Sequence, residues 1–346
     1  LLTHFIDILC NRCFLTKNIR IIFYSSQPER AQLKPIGKVV NTAIIGAPNS
    51  GKSTLINKIV DRTICAASNK VHTTTKLIRA MCYENDTQII FLDTPGVVTD
   101  KEQRRYKLPE SMKQACEKSL NCADVVGVVH DVSNRWTKDY IHKDVLKMLQ
   151  LIENIPSFLI LNKVDRLKSK NQLLTLIRNL TNGYIAGKPM PGVAVNENRK
   201  DKKGYSHFSD VFMVSALNGD GVKEIKAYLM TNAKPASFQY SPTDWTDQTN
   251  ESLIEEAVRA KFLDFLAQEI PYNLKVQLEF YEENENNIIC SVQVECPTER
   301  LSRLISGAGG GRLQQIKSHV RTDLINLFKK TVIVDLHLKI KGKSKD

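Results

Sequence analysis

The nine residues at 46–54, GAPNSGKST, leave this chain few folds to choose from. Gly46, Gly51, Lys52 and Ser53 stand in the register of a phosphate-binding loop, a pattern that carries meaning only between a strand and a helix. Both neighbours comply, because the apolar run at 40–45 precedes it and the helix-like STLINKIV follows. In such a loop glycines let backbone N–H groups wrap an anion, and the helix N-terminus adds positive potential. Gly46, Ala47, Pro48, Asn49, Ser50, Gly51, Lys52, Ser53 and Thr54 are therefore the expected nucleotide cradle, with the Lys52 ammonium on the outer phosphates and the Ser53 hydroxyl on Mg²⁺.

Runs rich in Val, Ile and Leu at 40–45, 77–83, 88–92, 124–130, 157–161 and 211–214 alternate with helix-like segments. Near-continuous apolar content is what strands covered on both faces require. The expected fold over 38–233 is an α/β P-loop domain, a mostly parallel sheet with helices on both faces. Between 184 and 210 the rhythm stops, and Gly, Pro and charged residues read as a surface insertion.

A phosphate loop alone leaves ATPase, kinase and GTPase open. The base is chosen by NKVD at 162–165, directly after an apolar run. A carboxylate at Asp165 can accept from guanine N1–H and the 2-amino group, whereas adenine would leave that charge unpaired. Asn162 suits the O6/N7 edge, the Lys163 stem can cover the ring, and a backbone N–H within Ser215, Ala216 and Leu217 can reach O6. Asp93 closes the 88–92 strand and is placed to hold Mg²⁺ through water, while the Gly96 N–H can bond the γ-phosphate. Among the threonines of KVHTTTK, Thr74 is the residue expected to close over Mg²⁺. The expected ligands are thus GTP or GDP with Mg²⁺, the catalytic set is Lys52, Thr74 and Gly96, and residues 63–76 and 96–112 should order with the triphosphate. Val97 stands where many such proteins carry a water-orienting glutamine. Intrinsic hydrolysis in small GTPases already runs at only about 10⁻⁴ to 10⁻² s⁻¹, so a slow timer is expected.

A chain of 346 residues accommodates a second domain. Residues 234–249 carry turn residues and read as a linker, and 250–341 follow the order α-β-β-α-α-β. A glycine-rich turn, LISGAGGGRLQQI, separates the two central helices. That order with a Gly-x-x-Gly turn matches an α+β type II KH module, in which nucleic-acid backbone approaches bare main chain ahead of a helix N-terminus. Gly307, Ala308, Gly309, Gly310, Arg312 and Lys317 are the expected RNA contacts. Charge agrees, with 49 Lys plus Arg against 37 Asp plus Glu and a net +12, which favours a polyanionic partner. The last five residues, 342–346, form a basic tail. Eight cysteines, mostly single, suit free thiols in a reducing compartment better than a disulfide scaffold. The first 27 residues carry Arg12, Lys17 and Arg20 against Asp7 amid apolar and hydroxyl residues, the composition of an organelle transit segment.

With these motifs in this order, 38–341 resembles the Era branch of the TRAFAC GTPases, whose members also carry a hydrophobic residue after DTPG. The resemblance implies a slow GTPase that binds the 3′ region of small-subunit ribosomal RNA and chaperones assembly of the small ribosomal subunit. The first 27 residues point that work to the mitochondrial matrix, peripheral contact at the inner membrane is left open, and the chain is expected to be a monomer. The family loop often has lysine where Ala308 or Gly309 stands here, so Arg312 is placed to supply the contact. A tRNA-modification GTPase needs a domain before the G domain, for which 38 residues do not suffice. Two rivals stay open: an RNA-binding adaptor with a structural G domain, and a membrane-surface GTPase.

Overall fold

The computed structural model describes residues 36–65, 78–93, 120–191, 204–266 and 274–341. Thr74, Gly96, Val97, the expected transit segment 1–27, most of the two segments expected to order with the triphosphate, and the tail 342–346 lie outside them.

Strands β1 (Ile36–Gly46), β2 (Ile78–Glu84), β3 (Thr87–Asp93), β4 (Val125–Asp131), β5 (Ser157–Asn162) and β8 (Phe208–Val214) form one sheet in the order β2-β3-β1-β4-β5-β8. All but β2 run parallel in this series. Every residue of β3 and β5 is buried, which accounts for the apolar runs at 89–92 and 158–161 within them. Helices α1 (Lys52–Val60) and α4 (Val222–Asn232) pack Leu55, Ile56, Ile225 and Leu229 into one apolar cluster. On the opposite face α2 (Lys143–Leu151) and α3 (Asn171–Leu180) bury Val145, Leu149, Leu173 and Leu176. Because β1 lies between β3 and β4, the order reverses there, and a crevice opens beyond the carboxyl ends of the strands, where α/β folds place ligands.

Phe158 is fully buried, with its ring 5.6 Å from Phe212 and 5.0 Å from Tyr228. Phe158→Ala should cost about 3–5 kcal/mol, since the surrounding sheet cannot close the cavity. Urea unfolding of parent and variant reads the difference.

The stretch 234–249 departs from the linker expectation. Lys234–Ser237 form strand β9, antiparallel to the first residues of β1. The cause is backbone satisfaction: β4 pairs only with Thr42 to Gly46 of β1, so the edge below needs another partner. All four β9 residues are exposed, so no hydropathy pattern marked them. Farther on, Met81 N–H donates to Trp245 O at 3.0 Å, Thr246 Oγ1 donates to Arg79 O at 2.9 Å, and Arg79 pairs with Asp247 at 2.8 Å. This connector is therefore fastened to β2. Within the 184–210 stretch the described residues form a hairpin of β6 (Tyr184–Ile185) and β7 (Lys188–Pro189), and Tyr205 and Phe208 are buried.

The C-terminal part runs α5 (Asn250–Phe265), β10 (Lys275–Glu283), β11 (Asn287–Cys296), α6 (Glu299–Ser306), α7 (Gly311–Phe328) and β12 (Thr331–Ile340). Its sheet order is β10-β11-β12, the first pair antiparallel and the second parallel, as a type II KH fold requires. Strict alternation in β11 buries Ile288, Cys290, Val292, Val294 and Cys296 under the helices and leaves the other face toward solvent. Thr249 and Thr298 cap α5 and α6 by accepting from Ser252 N–H and Leu301 N–H. Among the described residues no helix is long and apolar enough to cross a membrane, and the five described cysteines are free thiols.

Both parts share one continuous apolar cluster. At the junction α1 and α7 meet by their C-terminal ends, which stop on Asp61 and Lys329 in left-handed backbone. Arg62 Nη1 donates to Leu327 O at 2.8 Å, and its guanidinium lies 5.1 Å from the ring centre of Trp245. Trp245 meets Phe328 edge to face at 6.1 Å, and Lys329 Nζ stands 3.5 Å from Asp61.

Candidate nucleotide site and glycine-rich turn

Gly46, Asp93, Asp131, Asn162 and Val214 all end neighbouring strands, so the topology gathers the sequence motifs along one rim. The loop at 46–51 turns from β1 into α1 with Asn49 at φ +59° and Gly51 at φ +100°. Gly51 is required twice over. Its backbone is one that L side chains rarely adopt, and a Cβ there would stand 2.2 Å from Asn162 Nδ2. Lys52 is buried, its Nζ 3.2 Å from Gly46 O and 3.1 Å from Ala47 O, so the ammonium sits within the loop at the helix N-terminus.

Asn162 acts as a tie. Its Nδ2 donates to Ser50 O at 2.8 Å and its Oδ1 accepts from Ala216 N–H at 3.0 Å, joining the phosphate loop, the β5 exit and the β8 exit. Lys163, at φ +66°, sends Nζ to Asn49 O at 2.7 Å. Asp165 is exposed, in a single 3₁₀ turn at Val164–Arg166, with its carboxylate available to a planar donor edge. Ser215 and Ala216 are buried, whereas Leu217 is 70% exposed and can lie along a ring face.

Two oxygens suited to a hard cation converge at the end of β3. Ser53 Oγ donates to Asp93 Oδ2 at 3.0 Å, and Asp93 is fully buried. A hydroxyl and a carboxylate side by side beneath the phosphate loop match the donor set of Mg²⁺. Next to them Cys65 is buried, its thiol pushed up by burial and then by the Asp93 charge. Asn57 holds Cys65 from both sides, accepting from its N–H at 2.8 Å and donating to its O at 2.7 Å. These two bonds fix Cys65 against the side of α1.

Two residues that the sequence motifs do not point to belong to the site. Asn57 is one, and Asp131 is the other: its Oδ2 lies 2.5 Å from Lys163 Nζ, while Oδ1 accepts from Ser133 N–H at 2.8 Å and Ser133 Oγ at 2.6 Å. Burial alone would raise this carboxyl, but the bonds from Lys163 and Ser133 outweigh it and hold the group below the usual carboxylate range. The available signal was the acid that ends an apolar strand, here HDVS at 130–133.

In the C-terminal part the turn between α6 and α7 is bare backbone. At Gly309 and Gly310, φ +58° and +77°, and at Gly311, a Cβ would meet nothing within 4 Å, whereas at Gly307 it would press on Arg312 Cβ at 2.9 Å. Ala308 is exposed in the short turn Ala308–Gly310. Arg312 Nη1 donates to Leu304 O at 2.9 Å and so closes the end of α6, with its other N–H donors still to spare. Lys317 Nζ is 2.7 Å from Asp335 Oδ1, so this cation is shared with an acid from β12.

The family model described as "50S ribosome-binding GTPase" matches residues 41–163. Over 91% of this chain and 77% of its own length, "GTPase Era, mitochondrial" of Danio rerio is 34% identical. Era of Aquifex aeolicus, solved with GDP and AlF₄⁻, superposes with a TM-score of 0.70 at 25% identity over 88% of this chain and 94% of that one. Era solved with MgGDPNP and nucleotides 1506–1542 of 16S ribosomal RNA gives the same TM-score of 0.70, also at 25% identity and with the same coverage of 88% and 94%. A guanine-type base loop tied to a phosphate loop, followed by a KH fold and matched along nearly its whole length by Era proteins, makes this chain a GTPase of the Era family.

Proposed function

We propose that the chain is a slow GTP-driven switch that grips the 3′ region of small-subunit ribosomal RNA and chaperones assembly of the small mitochondrial ribosomal subunit, working as a monomer in the matrix. Relatives named mitochondrial and the Arg12, Lys17 and Arg20 segment support that address. Nucleotides 1506–1542 held by a related Era support the RNA.

In this reading residues 46–54 cradle the phosphates, and Lys52 faces the outer ones from inside the loop. Asp165 reads the guanine N1–H and 2-amino edge, and the Lys163 stem and Leu217 flank the ring; Asn162, expected from the sequence to meet the base, instead ties the loops beside it and takes up the Ala216 N–H. Ser53, Asp93 and Thr74 would hold Mg²⁺, which when bound screens the phosphate charge. Gly96 offers its N–H to the γ-phosphate, and Val97 leaves the water without an orienting side chain, which keeps hydrolysis slow. Gly307, Ala308, Gly309, Gly310 and Arg312 present backbone and charge to RNA, and Lys317 joins them as a cation shared with Asp335.

The junction is the observation that carries the switch. Helix α1 begins at the phosphate loop and α7 begins at the glycine turn, and their far ends are clasped through Arg62, Trp245 and Leu327. A shift of α1 on nucleotide exchange therefore acts on the helix that carries the RNA turn. RNA affinity measured by anisotropy should be about 5- to 150-fold different between GDPNP and GDP, the usual range of coupling free energies. Trp245→Ala should bring the two affinities together within about twofold. Equal affinities in the parent chain would instead support a nucleotide-insensitive adaptor, and co-sedimentation with anionic liposomes but not RNA would support a membrane-surface GTPase.

A further inference from the structure

We propose that Asp131 is a positioning residue for nucleotide retention: it holds Lys163 in place as a strut between the base loop and the phosphate loop. The inference rests on NKVD at 162–165 being the base loop.

A lysine tail at a loop tip samples many rotamers, and one that bridges two loops must be held at both ends. Lys163 is held at Asn49 O, 2.7 Å away, and at Asp131 Oδ2, 2.5 Å away. Asp131 is itself fixed, by two bonds from Ser133 and by its place opposite Asn162 in the β4–β5 register. Val132 N–H also donates to Asn162 O at 3.1 Å. The carboxylate therefore orients the ammonium, and not the reverse. Asn162 and Lys163 tie consecutive carbonyls of the phosphate loop, Ser50 O and Asn49 O. One of those ties depends on a side chain from β4 that has no counterpart in the motif.

The strut is a ground-state feature. It holds together the two loops that grip opposite ends of the nucleotide, and it contributes equally before and during phosphate cleavage. Losing it should speed release and raise KM while leaving kcat at saturating GTP unchanged. Asp131→Asn keeps the volume and can still accept from Ser133, but it removes the charge that faces Lys163.

Release of a fluorescent GDP analogue, followed by stopped flow, should be about tenfold faster in Asp131→Asn, with kcat within about twofold of the parent. Lys163→Met should speed release to a similar degree, and the double variant should release no faster than either single one. Unchanged release in Asp131→Asn would overturn the inference. So would additive effects in the double variant, because Asp131 would then act only through the Ser133 turn. Asp165→Ala separates the two levels of the reading: if it leaves GDP affinity intact, the base-loop assignment fails, and if it weakens GDP while Asp131→Asn does not, only the strut fails.

Discussion

Gly51→Ala should lower guanine-nucleotide affinity by at least about 100-fold while the chain still folds. The added Cβ would lie 2.2 Å from Asn162 Nδ2, on a backbone whose φ of +100° suits glycine alone. Relief can come in two ways. Either the phosphate loop rotates, which turns its N–H groups away from the anion, or Asn162 withdraws and gives up Ser50 O and Ala216 N–H together. Both routes separate the halves of the site, so the loss far exceeds that of one contact. Calorimetric titration with GDP and GTP measures it, and circular dichroism melting shows whether the fold survives. Affinity within about threefold of the parent would refute the close approach of Asn162 to the loop.

The second large effect is expected from Gly309→Asp combined with Gly310→Asp. Neither Cβ would meet anything within 4 Å, and aspartate tolerates left-handed backbone at φ +58° and +77° better than most residues. The variant should therefore fold, and its GTPase rate should match the parent, because the turn begins α7 and the phosphate loop begins α1, helices that meet by their far ends. RNA affinity should fall by about 100-fold, since two carboxylates would stand where phosphates must approach bare main chain. Anisotropy with an oligonucleotide of the ribosomal 3′ region and a phosphate-release assay read the two properties separately. Intact RNA binding would remove the glycine turn from the interface.

Much of the site was legible because its chemistry constrains spacing over short stretches. Gly46, Gly51, Lys52 and Ser53 must follow one another within a single strand–loop–helix turn, and Asn162, Lys163 and Asp165 within one loop, so linear order alone reveals them. The α-β-β-α-α-β order was legible for a similar reason, as the alternation in β11 survives in the string of residues. Asp131 was not, because its partner is 32 residues away and meets it only once β4 and β5 pair. Lys317 reads as a free cation until β12 brings Asp335 beside α7. Strand β9 carries no pattern at all, since its residues are exposed and it is held by backbone hydrogen bonds that any sequence can make.

The sequence by itself determined that a strand, a glycine loop and a helix would follow one another, that an Asn-Lys-x-Asp loop would leave a buried strand, and that a half-buried sheet with a glycine turn would come after them. Only the tertiary structure decided that Asp131 braces Lys163, that the 234–249 connector is part of the sheet and its edge, and that α1 and α7 meet around Trp245. Local propensity and hydrophobic period act between neighbours in the chain. Struts, edge pairings and helix-end contacts join residues tens to hundreds of positions apart, and packing alone selects those partners.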